Sequence, residues 1–281
     1  MKTILVPTDF SAAAKKATQY AFDIAIQMQA SKIVLFNAFQ SPPIITEPSM
    51  PAISYIDIDS LKTIGETGMK HFEEKVKAAC PNGVQLETKV QFASLSDEID
   101  MICKSEGAEL IVMGITGTSK IEEVLMGSTA LSVMRSTKIP LIIVPEDNHS
   151  TSIKNVMLMT DLKNVVETTP LENIKKILDT TMAQLHVVNL YEKENEITDE
   201  KNKQQELLSA MLAIFNPQLH VLHSEHFIDG VNDFVTANNI DMIIAIPKKH
   251  GFFSSFFKES HSKKLAFHTH IPLIYIHNEE L

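Results

Sequence analysis

The 281-residue sequence predicts an α/β protein built from two tandem, doubly wound domains, each with a five-stranded parallel sheet. Three observations predict it. Most of the short apolar runs are continuous rather than alternating, which marks strands buried on both faces, as in a parallel sheet between helices. Strand-like runs and crossovers, most of them helical in spacing, alternate along the chain. The second half repeats the first in one register: Asn155 to Leu162 lies over Thr3 to Phe10, and Leu185 to Leu190 lies over Ile33 to Ala38 at the same offset.

Taken in order, Ile4-Leu5-Val6 is a short β-rich run that ends at Pro7-Thr8-Asp9, which leaves Asp9 at the carboxyl end of the first strand. Ser11 is suited to cap a helix over Ala12 to Gln29, where alanines and apolar residues recur at helical spacing. Lys32 to Phe39 is the second strand. The stretch 41–60 holds four prolines and few helix formers and reads as a loop or lid. Leu61 to Cys80 returns to helical spacing, Pro81-Asn82-Gly83 is a turn, and Val84 to Phe92 alternates like a strand. A helix over Ser96 to Ser105 precedes the fourth strand, Leu110 to Met113. A helix over Ala130 to Arg135 and a strand over Ile139 to Val144 close the first set.

The repeat continues with Leu219 to Phe227 as strand three, Asp241 to Ile246 as strand four, and Ile271 to Ile276 lying over Ile139 to Val144. A polar stretch, Asp147 to Thr151, follows Pro145 and separates domains at 1–147 and 151–281. With 44% hydrophobic residues, each half of about 140 residues can form its own core.

The net charge of -10, with no long basic run, removes the counterion-release drive toward phosphate backbones and argues against nucleic acid. Pro7 and Asp9 interrupt the apolar start, and no apolar run reaches membrane-spanning length. Cys80 and Cys103 lie in segments that read as helices, which suits a reducing compartment. A soluble, cytoplasmic protein is expected, with no membrane contact.

The chemistry concentrates after the fourth strand. Gly114-Ile115-Thr116-Gly117 is followed by nine residues and then Gly127-Ser128-Thr129. Glycines there allow a tight turn whose N–H groups can approach a ligand closely. The third glycine and two hydroxyl residues stand where the next helix begins, and a helix start favours an anion such as a phosphate. No lysine follows in a P-loop frame, and the spacing is not the dinucleotide fingerprint either. The same glycines also suit a ligand-free role in turning the chain and admitting a close helix.

The spacing G-x2-G-x9-G-[ST], the Pro7-Thr8-Asp9-Phe10-Ser11 start and the internal repeat together resemble a tandem member of the universal stress protein family, over nearly the whole chain. The resemblance implies a Rossmann-like fold of strand order 3-2-1-4-5 and a bound ATP, usually with a divalent ion such as Mg. It implies that Asp9 bonds the ribose or adenine side, that Ala38 offers backbone atoms to adenine, and that Met113 lines the ribose and base region. Gly114, Gly117, Gly127, Ser128 and Thr129 would cradle the phosphates. It also implies pairing of the two domains through their fifth strands, with dimerisation of whole chains left open. Asp9 equally suits a cap at the helix entry, since it recurs as Asp161.

The second copy has lost the motif. Pro247-Lys248-Lys249-His250 replaces the first glycine pair and Glu259-Ser260 the third glycine, and neither a proline nor a carboxylate suits a phosphate cradle. Asp161 and Asn189 survive there and are expected to make capping and strand-end hydrogen bonds. His220 and His223, three apart on a strand, face opposite sides, so a shared metal is awkward and no metal site is expected. Three functions stay open: an ATP-binding stress-response module acting on an unknown protein partner, a slow ATP hydrolase, and a ligand-free scaffold. Hydrolysis needs a positioned base and a transition-state cation, and Lys120 is the only cation within the motif.

Overall fold

The computed structural model describes residues 2–40, 58–115, 128–191, 198–246 and 270–277. The proline-rich stretch 41–57, the glycine segment 116–127 and the stretch 247–269, which carries the altered second motif, lie outside them.

The first half runs β1 (Thr3–Pro7), α1 (Ala12–Ala25), β2 (Lys32–Phe39), α2 (Ile58–Val76), β3 (Gln85–Phe92), α3 (Leu95–Glu106), β4 (Leu110–Ile115), α4 (Ser128–Ser136) and β5 (Leu141–Pro145). The second half runs β6 (Asn155–Met159), α5 (Val165–Thr168), α6 (Leu171–Thr181), β7 (Gln184–Tyr191), α7 (Asp199–Met211), β8 (Gln218–His223), α8 (Phe227–Ala237), β9 (Met242–Ala245) and β10 (Leu273–Tyr275). Several boundaries differ from the sequence expectation; α1 ends at Ala25 rather than Gln29, and β5 starts at Leu141 rather than Ile139. Residues Ile58 to Ser60 belong to α2 rather than to the preceding loop. The strand expected to reach Phe227 stops at His223, because Phe227 opens α8 and buries its ring under the sheet. Cys80 lies just beyond a short turn at Lys77–Ala79 in extended backbone, and both cysteines are free thiols.

All ten strands join one sheet in the order β3-β2-β1-β4-β5-β10-β9-β6-β7-β8. Each half therefore has the order 3-2-1-4-5 and is parallel within itself. Among the described residues the halves meet at one antiparallel pairing, β5 with β10, where Leu141, Ile142 and Ile143 face Tyr275, Ile274 and Leu273. Two strand edges that would otherwise present unpaired backbone groups cover one another there, as the fifth-strand expectation required.

Continuous apolar strands supply both faces of the sheet. Ile4 and Val6 point into one core and Leu5 into the other, and each core runs without a break from the first half into the second. A polar clamp reinforces the junction from the end of α1. The Gln27 amide donates to the carbonyls of Ile153 (2.6 Å) and Thr181 (3.0 Å) and accepts from the Ile153 N–H at 2.9 Å. Glu109 also pairs with Lys176 across the halves, and its carboxyl is held below the usual range chiefly by that hydrogen bond. Gln27→Ala leaves three backbone groups unpaired and is expected to cost about 2 kcal/mol. A lowered urea midpoint with an unchanged slope is the expected readout.

Candidate functional site

The first half holds a cleft of about 480 Å3 at the carboxyl ends of β1, β2 and β4, where a doubly wound sheet reverses its strand order. Asp9, Ala38, Met113, Gly114 and Thr129, all expected from the sequence, line it. Ser128 is the first residue of α4, while Gly117 and Gly127 lie outside the described residues.

The turn after β1 is built by its own side chains. Thr8 Oγ1 accepts from the Phe10 N–H at 3.0 Å, and Asp9 Oδ1 accepts from the Ser11 N–H at 3.0 Å. Together they hold Phe10 in the left-handed region at φ 67°, a costly conformation for an aromatic residue unless its neighbours fix it. Ser11 then caps α1, its hydroxyl accepting from the Ala14 N–H at 3.2 Å. Asn37, from β2, donates to the Thr8 carbonyl at 2.8 Å and ties the turn to the next strand.

The second half reproduces the turn's bonds, except for the helix cap made by Ser11, whose repeat position is Lys163. Thr160 Oγ1 accepts from Leu162, which has φ 52°, Asp161 Oδ1 accepts from Lys163, and Asn189 donates to the Thr160 carbonyl at 2.6 Å. Asp161 and Asn189 thus make the capping and strand-end bonds expected of them. The two aspartates differ in exposure: Asp9 is exposed and lines the cleft, whereas Asp161 is buried at 5% exposure.

Gly114 has a packing task. A Cβ built on it would lie 2.0 Å from the carbonyl oxygen of Ala13, so α1 crosses β4 at a distance only glycine admits. The crossing closes one wall of the cleft. Across the opening, Ser94 and Ser96 flank the start of α3. Carboxylates of its own first turn already occupy that helix start: Glu98 accepts from the Ser94 N–H at 2.8 Å and Asp97 from the Ser94 hydroxyl at 2.6 Å. The first turn of α4 carries no acidic residue.

Asn37, Gln40, Ser94 and Ser96 line the cleft but were not singled out in the sequence. Asn37 had a signal: it stands under Asn189 in the repeat. The serines follow β3, whose carboxyl end the parallel order brings to the same rim. Among the described residues, no three His, Cys, Asp or Glu side chains gather in a way that would hold a metal ion, and no helix is long and apolar enough to cross a membrane.

Strand order, crossover pattern and a strand-end cleft together define a tandem α/β protein of the doubly wound class. The universal stress protein family model matches residues 1–145, just over half of the chain, and the chain belongs to that family. It is 30% identical over 145 residues to universal stress protein YxiE of Bacillus subtilis, covering 50% of this chain and 97% of that protein. It is 29% identical over 143 residues to universal stress protein MJ0531 of Methanocaldococcus jannaschii, covering 51% of this chain and 81% of that one. The crystal structure of a universal stress protein from Archaeoglobus fulgidus shares the whole architecture, with a TM-score of 0.70, 18% identity and 98% of both chains covered.

Proposed function

We propose that the chain is a cytoplasmic regulatory module that binds one adenine nucleotide, ATP with Mg, in the first-half cleft. Residues 1–147 form the binding domain, and residues 151–281 a degenerate copy that docks on it. The observation that carries the reading is the convergence of Asp9, Ala38, Met113, Gly114 and Thr129 on a cleft of about 480 Å3, a volume inside the range of about 300 to 1,000 Å3 usual for small-ligand sites.

Charge orients the ligand. Asp97 and Glu98 at the start of α3 repel phosphates, so the uncharged base lies on the side of Ala38 and Ser94. The phosphates lie toward Thr129 and the start of α4, where no carboxylate in the first turn opposes the helix dipole. Gly117, Gly127 and Ser128 complete the cradle in this reading, and Asp9 reaches the ribose. Mg enters with the phosphates. Asp97 and Glu98 are both engaged in capping α3, which leaves them poorly placed as a hydrolytic base, so any hydrolysis is slow.

One observation favours a second reading, a scaffold without ligand: the packing of α1 accounts for Gly114 with no nucleotide at all. The two are separated by purifying the full chain without added nucleotide, denaturing it and running the supernatant on anion exchange. About one equivalent of ATP per chain, absent from Gly127→Glu, is expected of a single preformed site. ADP or AMP in its place would point to the hydrolase. Nothing released, together with no ATP uptake on titration, would leave the glycines structural.

A further inference from the structure

The second half carries a paired-histidine element outside the lining of the first-half cleft. His186 of β7 and His220 of β8 meet Nδ1 to Nε2 at 3.2 Å, with ring centroids 5.3 Å apart and planes 18° from parallel. Phe234 of α8 lies steeply inclined to both rings, at centroid distances of 6.0 and 4.8 Å. His186 is only 5% exposed. The cluster thus joins three elements: an inner strand, the edge strand and the helix that covers them.

In such a contact one imidazole donates an N–H and the other accepts through a lone pair, so at least one ring must be neutral. Charging both aims two N–H groups at each other and sets two cations together against an apolar ring. Among the described residues, the neighbours along these strands offer no compensating charge. Val188 on β7, Gln218 and Leu222 on β8, and Met157, the β6 register partner of His186, are uncharged. The carboxylates of α8, Asp229 and Asp233, are exposed, as are His223 and His226. Burial holds both imidazoles below their ordinary value of 6.5, and for His186 the neighbouring His220 adds to it.

The sign follows from that direction. A histidine depressed in the folded state binds fewer protons folded than unfolded, so its contribution to stability is complete above about pH 6.5 and is lost as pH falls below it. The first half is built differently at the same place. Lys89, which occupies on β3 the register position of His220 on β8, pairs with the buried carboxylate of Glu106 at the end of α3. Those charges are complementary, so the pair carries no like-charge contact of the kind two protonated imidazoles would make.

We propose that His186, His220 and Phe234 form an acid-sensitive latch: neutral, it holds edge strand β8 and helix α8 on the sheet, and doubly protonated it releases them while the first half stays closed. Hydrogen exchange on the full chain at about pH 7.5 and about pH 5.5, corrected for intrinsic rates, tests it. Protection over 218–223 and 227–237 is expected to fall about tenfold or more on acidification, and protection over 85–92 and 95–106 to hold. His220→Gln keeps a donor and an acceptor without titrating, and it should keep β8 and α8 protected at both values. Unchanged protection in the wild type at the acid value, or an equal loss in His220→Gln, overturns the latch. Should the variant already be unprotected at the neutral value, histidine side-chain NMR of the wild type decides. His186 and His220 titrating below about 6.5 supports the latch, and either ring titrating at or above it overturns it.

Discussion

Gly114→Ala is expected to destabilise the chain by about 3 kcal/mol even with no nucleotide present. The added Cβ would meet the Ala13 carbonyl oxygen at 2.0 Å, a backbone atom on a helix whose other side packs into the core. Neither partner is a flexible side-chain end that could swing away. Either α1 lifts from β4 or the strand bows, and both movements open contacts among Ala14, Ala17 and Val112, which are at most 5% exposed. For a protein of this size the loss corresponds to a fall in Tm of roughly 6 to 12 °C. Calorimetry of nucleotide-free protein reads it directly. A variant within about 0.5 kcal/mol of wild type would show that the helix can yield, and would return Gly114 to a purely ligand-facing role.

Ile274→Asp is expected to cost more, about 4 kcal/mol or above, because it places a carboxylate at a fully buried position with no partner. Ile274 sits opposite Ile142 in the antiparallel joint, and both are 0% exposed. The two cores run through this joint, so the damage should appear as lost cooperativity between halves rather than as local fraying. Unfolding followed separately by first-half and second-half probes should split into two transitions, with faster proteolytic cleavage in the stretch 146–154. Ile274→Val, which removes only a methylene, should cost about 1 kcal/mol and keep a single transition. Coincident transitions in the aspartate variant would mean that the clamp at Gln27 suffices to hold the halves together.

The strands and their duplication were legible because buried parallel strands leave an unbroken apolar signature and because Leu185 to Leu190 repeats Ile33 to Ala38, whereas their order was implied by the family resemblance. Capping was legible as well: Ser11 sits three residues before the Ala14 N–H it bonds. What escaped depends on pairing across strands. His186 and His220 are 34 residues apart, and only the β7–β8 register makes them touch, whereas the spacing of His220 and His223 in sequence drew attention to two rings on opposite faces. Gly114 was singled out in the sequence and lines the cleft, but its close approach to Ala13 was not legible, since a glycine in sequence does not say which atom would occupy the space of its missing Cβ. Helix ends moved by a few residues wherever the chain closed with a turn of another kind, as at Lys77–Ala79.

The antiparallel joint gives the sheet two opposed polarities. Strands of the first half run their carboxyl ends to one rim of the plate, and strands of the second half run theirs to the other. A molecule seated in the first-half cleft and anything that engages the corresponding rim of the second half therefore sit on opposite sides and cannot touch across open solvent. Whatever one half tells the other must travel through the junction itself, by the three residue pairs of β5 and β10, the Gln27 clamp, the Glu109–Lys176 pair and the two shared cores. The joint is thus the conduit between the rim that holds the cleft and its counterpart.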